Sequence, residues 1–266
     1  MNNTKTQEYE IEVAGGRIYA KKWIPETTTT ESPLILLHDS LGSVDLWKDF
    51  PLVLAEKLSR PVVAYDRLGF GKSSARDTLP SSDFIEEEAI EYFPAIKENL
   101  LLNSNNNKYA LFGHSVGGGM AINIAARDAD CEAVVTMSAQ AFVEDLTTKG
   151  IEAAKQFFAQ PGQLERLQKW HGNKAKWVLD AWTEVWLSKV FADWSLQSCI
   201  GNVSCPVLAI HGENDEYGSL AFPEFISKNT SGQSDMLILK DCGHTPHKEK
   251  PEEVFKAVKQ FLDKVK

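Results

Sequence analysis

The residues best suited to chemistry lie between Tyr109 and Gly119, where the sequence reads YALFGHSVGGG. An apolar run of strand type enters Gly-x-Ser-x-Gly, and a helical pattern follows from Met120. A strand-to-helix turn of this kind strains the central serine and projects its hydroxyl from the sheet. A glycine-rich turn could match by chance, but the placement between a strand and a helix favours Ser115 as a nucleophile for attack on an acyl carbon.

A serine hydroxyl needs a base within hydrogen-bond reach, and the chain offers six histidines. His244, in KDCGHTP, comes directly after the last apolar strand and before a helical pattern, where an α/β sheet presents functional loops. His247 is the local competitor and is expected to be exposed. The others are interpreted as structural (His38 and His114) or as part of an inserted segment (His171). We therefore assign His244 as the base.

The base needs a carboxylate that holds its tautomer. Asp215 ends the run VLAIHGEND, again just after a buried strand. The order serine, aspartate, histidine is typical of the Gly-x-Ser-x-Gly elbow type of hydrolase. Glu213 and Asp241 stay open as alternatives, although acidic loop residues are usually surface carboxylates.

Donors for a developing oxyanion are expected on two segments. Residues 36–42, LLHDSLG, follow the third strand, and Val116 follows the nucleophile. The backbone N–H groups of Ser40 and Val116 are therefore assigned to an oxyanion hole.

The elements that must position these residues alternate in type. Short β-rich runs alternate with helical patterns, which predicts an α/β fold with a mostly parallel sheet and helices on both faces. The early pair, joined at Gly15 and Gly16, is expected to form a hairpin, and the later strands to be buried on both faces. Residues 27–30 and 103–107 are expected to be polar loops. The predicted strands cover residues 8–13, 17–24, 34–37, 62–65, 109–112, 133–137, 207–211 and 236–239.

Between the sixth and seventh strands the pattern becomes purely helical, which predicts a cap at residues 139–200 inserted into a core of residues 1–138 and 201–266. Five of the seven tryptophans fall in this segment. Val178, Trp182, Trp186 and Val190 recur every four residues, which places them on one helix face. The stripe is expected mainly to pack the cap on the core, with Trp182 and Trp186 as candidate substrate-binding residues.

Bulk properties exclude several classes of function. The 266 residues carry a net charge of -9 with a pI near 5.2, whereas a nucleic-acid binder needs a basic surface. The first residues lack the apolar core of a signal peptide, and no stretch approaches the roughly 20 apolar residues that span a bilayer. We therefore expect a cytoplasmic protein without membrane insertion or nucleic-acid partner.

Five motifs in order resemble the α/β-hydrolase superfamily, in its lid-bearing serine hydrolase branch. The resemblance implies an eight-stranded sheet, the triad Ser115, Asp215 and His244, and a lid after strand six. Two positions depart from the family pattern: Asp39 stands where glycine usually follows the histidine, and Ser219 replaces a frequent proline. The motifs are residues 38–42, 66–73, 113–118, 211–215 and 243–244.

The segment GFGKS at residues 69–73 also suggests a phosphate-binding loop, but that motif needs glycine where the chain has Asp66. ATP binding is therefore rejected, and this loop is expected to support the active-site loops.

The expected reaction is hydrolysis of a small carboxylic ester or related acyl bond through an acyl-enzyme on Ser115, with no metal or organic cofactor. The enzymatic alternative is a carbon–carbon bond hydrolase of the dienoate-ketone type, which is disfavoured because no pair of basic residues for its carboxylate is evident. A lidded ligand-binding receptor with little turnover is the alternative from another class. The sequence leaves the natural substrate and the oligomeric state open.

Overall fold

The computed structural model describes residues 4–101 and 107–265. They form an eight-stranded sheet in the order β1-β2-β4-β3-β5-β6-β7-β8, in which β1 and β2 are antiparallel to their neighbours and β3 to β8 are mutually parallel. The α/β fold with an eight-stranded, mostly parallel sheet is confirmed. The strands are β1 (Lys5–Val13), β2 (Gly16–Ile24), β3 (Leu34–Leu37), β4 (Val62–Tyr65), β5 (Tyr109–His114), β6 (Cys131–Met137), β7 (Val207–Gly212) and β8 (Ser234–Leu239).

Helices cover both faces of the sheet. Apolar side chains of α1 and α10 pack on one face, while those of α3, α4 and α8 pack on the other. A π-helical turn at Glu88–Tyr92 joins α2 and α3. The helices are α1 (Phe50–Leu58), α2 (Phe84–Glu87), α3 (Phe93–Leu101), α4 (Val116–Ala125), α5 (Asp145–Phe158), α6 (Leu164–His171), α7 (Ala175–Trp186), α8 (Ala221–Asn229), α9 (Pro246–Glu249) and α10 (Pro251–Leu262).

All eight predicted strands are present, and the hairpin forms where it was expected, with Val13 opposite Gly16. Gly15 has φ +84°, a left-handed conformation that glycine adopts without strain. The expectation that every later strand is buried on both faces is wrong for β8. This strand lies at the sheet edge, and its Met236 is 46% exposed.

The chain between β6 and β7 contains α5, α6 and α7, followed by short 3-10 turns, and no strand. The four-residue stripe is only partly correct, because α7 ends at Trp186 and Val190 lies beyond it, 77% exposed. The helical insertion is as expected, while its division from the core at residues 139 and 200 stays a prediction.

None of the helices in the described ranges is long and apolar enough to cross a bilayer. Of the polar loop predicted at residues 103–107, only Asn107 falls within the described residues.

Candidate active site

Ser115 occupies a sharp turn between the end of β5 and the start of α4. Its backbone has φ 56° and ψ -126°, a strained conformation for a residue with a side chain. The flanking glycines are required by close approach of the backbone: a Cβ on Gly113 would lie 2.2 Å from the Gly117 carbonyl oxygen, and one on Gly117 would lie 2.3 Å from that of Leu37. The predicted elbow is therefore present, with the serine side chain held at its tip.

Asp215 and His244 meet at the carboxyl ends of β7 and β8. His244 Nδ1 lies 2.8 Å from Asp215 Oδ1 and 2.9 Å from Oδ2. Burial acts to raise the pKa of the Asp215 carboxyl, but the His244 ring and other donors outweigh it and lower that pKa. Burial likewise acts to lower the pKa of His244, but the Asp215 carboxylate raises it above its usual value. The pair thus consists of an ionised carboxylate and a histidine of increased basicity.

Within the described part of the chain, neither of the two alternative carboxylates forms a hydrogen bond with the His244 ring. Both Glu213 and Asp241 are exposed, and the Asp241 amide donates to Glu213 Oε2 at 3.4 Å. They interact with each other at the surface, so Asp215 is the carboxylate that the structure pairs with the histidine.

Two further carboxylates fix the loop that carries His244. Glu249 accepts from the Gly243 amide at 2.8 Å and from the Thr245 amide at 3.1 Å. Glu216 accepts from the His244 amide at 3.2 Å. The backbone on both sides of the histidine is therefore held by side chains.

The Asp215 loop is anchored from two sides. Buried His211 donates from Nε2 to the Gly218 carbonyl at 2.9 Å, and the same nitrogen lies 3.4 Å from Asp215 Oδ2. The departure at Ser219 has a structural role, because its amide and hydroxyl donate to the Glu144 carboxylate at 2.7 and 2.9 Å. Serine here links the acid loop to the residue that precedes α5.

A cavity of about 240 Å³ lies over Ser115. The Ser115 hydroxyl donates to Gln140 Oε1 at 3.2 Å, and within the described parts of the chain it forms no hydrogen bond with His244. A larger cavity, about 680 Å³, lies elsewhere and contains none of the three triad side chains. The lining of the smaller cavity comprises Asp39, Ser40, Leu41, Ser115, Gln140, Trp182, Glu216, Tyr217, His244 and Thr245.

The two amides expected to form an oxyanion hole have no hydrogen-bond acceptor among the described residues. Val116 is the first residue of α4, so its N–H has no acceptor within the helix. The Ser40 amide forms no hydrogen bond with any described residue, whereas Asp39 Oδ1 accepts from the next amide, Leu41, at 3.1 Å. Ser40 also lines the cavity beside Ser115.

Asp39 faces the cavity rather than bulk solvent. Its Oδ2 lies 3.3 Å from Nδ1 of His114, whose Nε2 donates to the His244 carbonyl at 2.8 Å. Burial acts to raise the pKa of Asp39, but the adjacent histidines and Lys248 outweigh it and hold that pKa well below its usual range. A negative charge therefore stands at the position where the family pattern has glycine.

The predicted exposure of His247 is wrong. Its side chain is buried against Trp47, Phe50 and His114, with ring centroids 5.0 to 5.3 Å apart. In the sequence, His247 follows a proline at the start of a helix, and this position gave no indication of the aromatic packing.

The loop that resembles a phosphate-binding motif is tied to the active-site loops, as expected. Asp66 accepts from the amides of Val44 and Lys72 at 2.6 and 2.7 Å. His171 of α6 accepts from the Gly71 amide at 3.0 Å and donates to the Leu41 carbonyl at 2.9 Å. The histidine thus joins the helical insertion to both loops.

The two candidate substrate-binding tryptophans have different surroundings. Trp182 lines the cavity and its ring packs edge-on against Tyr217, with centroids 5.7 Å apart. Trp186 does not line the cavity. Its side chain is only 3% exposed and packs between Phe191 and Trp194. The cavity lining therefore includes Trp182 but not Trp186, whose ring lies deeper in the aromatic packing although both residues lie on one face of α7.

Three residues at the cavity were missed by sequence reasoning: Gln140, Glu216 and Tyr217. Glu216 and Tyr217 directly follow Asp215, and this adjacency was an available signal. Gln140 lies three residues beyond β6, at the sheet edge that carries the other loops, but its residue type gave no signal. In the described ranges, no group of three or more His, Cys, Asp and Glu side chains is arranged to hold a metal ion.

The chain belongs to the alpha/beta hydrolase family, whose model matches residues 34–257. It is similar to a proline iminopeptidase of Saccharolobus solfataricus, with 21% identity over 87% of this chain and 85% of the relative.

Solved structures show the same fold. A proline iminopeptidase of Mycobacterium smegmatis has a TM-score of 0.74 at 20% identity, covering 97% of this chain and 98% of its own. A thermophilic esterase of Thermogutta terrifontis has a TM-score of 0.70 at 20% identity, covering 97% and 99%. Family membership makes the protein a hydrolase, while the relatives differ in the bond that they cleave.

Proposed function

We propose that the protein is a serine hydrolase that cleaves a small carboxylic ester or a related acyl bond through an acyl-enzyme on Ser115. The observation that carries the proposal is the pairing of His244 with Asp215 in one cavity with a strained nucleophilic serine. This constellation matches the roles of nucleophile, base and orienting carboxylate.

In the first step His244 Nε2 takes the Ser115 hydroxyl proton while Oγ bonds to the acyl carbon. The carbonyl electron pair moves to oxygen, where the Ser40 and Val116 amides donate to it. The tetrahedral intermediate collapses as the carbon–oxygen bond of the ester breaks, and the imidazolium gives its proton to the leaving oxygen. A water molecule, deprotonated by His244, then attacks the acyl carbon of the acyl-enzyme. The bond to Ser115 Oγ breaks, His244 returns the proton to Oγ, and the carboxylic acid is released, with Asp215 ionised throughout.

Cavity size and lining limit the substrate. A volume of about 240 Å³ fits a small molecule, with the rings of Trp182 and Tyr217 as apolar wall. No lysine or arginine among the described residues lines it, which disfavours the carbon–carbon hydrolase alternative because its substrate carries a carboxylate.

The decisive experiment is hydrolysis of p-nitrophenyl esters with two to twelve acyl carbons by wild type and Ser115→Ala at matched folded concentration. Saturable turnover that disappears in the variant supports the proposal, and its chain-length profile reports the acyl site. Equal rates in both proteins exclude Ser115 as nucleophile. Tight ligand retention without turnover would favour the receptor alternative.

A second candidate is release of an amino-terminal residue from a peptide. Asp39 and Glu216 place carboxylates in the cavity, where an ammonium group would be stabilised, and the similar proline iminopeptidases give this reaction as precedent. Turnover of prolyl or alanyl p-nitroanilide at a kcat/KM above that of the best ester would favour it. The cytoplasmic location expected from the sequence stays a prediction.

A further inference from the structure

Gln140 contacts the nucleophile from a rigid position. It follows a turn in which Ser138 has φ 49° and donates its amide to the Ile210 carbonyl at 2.8 Å. A Cβ on Gly118 in α4 would lie 2.3 Å from the Ala139 Cβ, so this turn packs closely on the elbow helix. The Gln140 side chain is held at the cavity with only 5% of its surface exposed.

The hydrogen bond between Ser115 and Gln140 cannot persist during acyl transfer. Gln140 Oε1 accepts the hydroxyl proton at 3.2 Å, and among the described residues this hydroxyl is its one donor. When the proton passes to His244, Oε1 becomes a buried acceptor without a donor, which is unfavourable. A substrate group that donates a hydrogen bond at this place removes the penalty.

The tetrahedral intermediate indicates which part of a substrate reaches Gln140. Its carbon carries Ser115 Oγ, the oxyanion, the leaving group and the acyl substituent. The oxyanion faces the Ser40 and Val116 amides, and the leaving group faces His244, which must protonate it. The acyl substituent takes the remaining direction, where Gln140 lies within hydrogen-bond distance of Oγ.

We propose that Gln140 binds a hydrogen-bond donor on the carbon next to the scissile carbonyl and so selects acyl groups with a 2-hydroxyl or 2-amino substituent. This inference rests on the proposed acyl transfer to Ser115. The carboxylates of Asp39 and Glu216 in the same cavity favour a neutral hydroxyl or a protonated amine over an anionic substituent.

The test uses p-nitrophenyl esters of 2-hydroxybutanoate, 2-aminobutanoate and the near-isosteric 2-methylbutanoate, each normalised to its uncatalysed hydrolysis. In wild type we expect the normalised kcat/KM of at least one donor ester to exceed that of the methyl ester about tenfold, as for loss of one hydrogen bond to a buried group. The hydroxy and amino arms distinguish the two sources of the donor.

Gln140→Met approximately preserves length and volume but removes the amide oxygen and the amide nitrogen. It should bring the donor-to-methyl ratio to within about twofold of one. Gln160→Met, at an exposed glutamine in the turn after α5, is the matched control and should keep the wild-type ratio. A general loss of structure would lower all three rates together, whereas loss of Gln140 recognition changes the ratio. A ratio near one in wild type, or an unchanged ratio in Gln140→Met, overturns the proposal.

If the proposed acyl transfer is wrong, no ester is hydrolysed in a Ser115-dependent way, which differs from hydrolysis with an unchanged donor-to-methyl ratio. Protection of Ser115 from a fluorophosphonate probe then decides the inference, with 2-hydroxy-2-methylpropanamide and 2,2-dimethylpropanamide as protecting ligands. Stronger protection by the hydroxy amide in wild type, and equal protection in Gln140→Met, supports donor binding by Gln140. Equal protection by both amides in wild type overturns it.

Discussion

Asp215 presents both carboxylate oxygens to Nδ1 of His244, at 2.8 and 2.9 Å, while the Ser115 hydroxyl is bonded to Gln140 instead. In the proposed mechanism the base is therefore already oriented before a substrate enters, and the nucleophile is not yet engaged with it. Substrate binding has to exchange one hydrogen bond of the serine for another.

Asp215→Asn should leave the fold intact and lower kcat by about 10³- to 10⁴-fold, because an amide cannot hold the productive histidine tautomer and stabilise the imidazolium. Steady-state hydrolysis of the best ester measures the effect. Glu213→Gln, at the nearby exposed carboxylate, is the control and should stay within about twofold of wild type, as expected for a surface substitution. Comparable losses in both variants would contradict the role assigned to Asp215.

The acid limb of kcat/KM should report His244. Attack requires the neutral ring, and the pKa of His244 is raised because the Asp215 carboxylate outweighs the effect of burial. The rate should therefore fall as pH decreases through a midpoint above about 6.5, the usual histidine value. In Asp215→Asn the residual activity should show this limb at lower pH, because burial then acts without the compensating charge. An unmoved limb would indicate that another group titrates.

Asp39→Asn should change the preference for substrate charge. The wild-type carboxylate is ionised beside the oxyanion-hole loop, so it repels an anionic acyl group. We expect the kcat/KM ratio of p-nitrophenyl hydrogen adipate to p-nitrophenyl pentanoate to rise about fivefold, the effect of one partly screened charge. The increase should shrink in high salt. A ratio that does not change would mean that the Asp39 charge does not reach the acyl site.

Substitution of the two tryptophans should separate binding from stability. Trp182→Ala widens the cavity, so the optimum acyl chain should lengthen. Trp186→Ala removes a buried ring between two aromatic neighbours and should cost about 3–5 kcal/mol of unfolding free energy. Urea unfolding and chain-length profiles of both variants provide the measurement. A changed chain-length optimum in Trp186→Ala, with a loss of unfolding free energy in Trp182→Ala instead, would support Trp186 as the binding residue.

The sequence predicted the sheet well because its signals are local. Each buried strand is a short apolar run between polar segments, and the elbow glycines have a spacing that only a sharp turn requires. The exposed face of β8 was missed because the residues of a strand do not indicate its position in the sheet, and β8 lies at an edge.

The candidate site could be predicted only in part for a related reason. Ser115, Asp215 and His244 each follow a strand, so their convergence depends on topology alone. The positions of Gln140 and His247 depend on side-chain packing between segments that are distant in sequence. Gln140 contacts Ser115, about 25 residues away, and His247 packs on Trp47, about 200 residues away. The two tryptophans of α7 were indistinguishable because a four-residue spacing fixes a helix face but not the depth of each ring.

Buried neutral histidines should make the protein unstable in acid, and His247 offers the sharpest test. Burial first, and then the neighbouring His114 and Lys248, lower the pKa of His247 to about 2. As pH falls from 7.5 to 5, the unfolded chain binds a proton here and the folded protein does not. The contribution of His247 is thus complete above about pH 6.5 and decreases by about 2 kcal/mol by pH 5.

His247→Phe removes this titration and also the buried Nδ1, which has no hydrogen-bond partner among the described residues, while a ring is kept against Trp47 and Phe50. The unfolding free energy should then fall by about 2 kcal/mol less than that of wild type between pH 7.5 and 5. Any packing cost of the larger ring cancels, because it acts at both pH values. Lys256→Gln, an exposed change on α10, should keep the wild-type pH dependence. An equal pH dependence in His247→Phe and wild type would mean that this histidine is protonated in the folded protein.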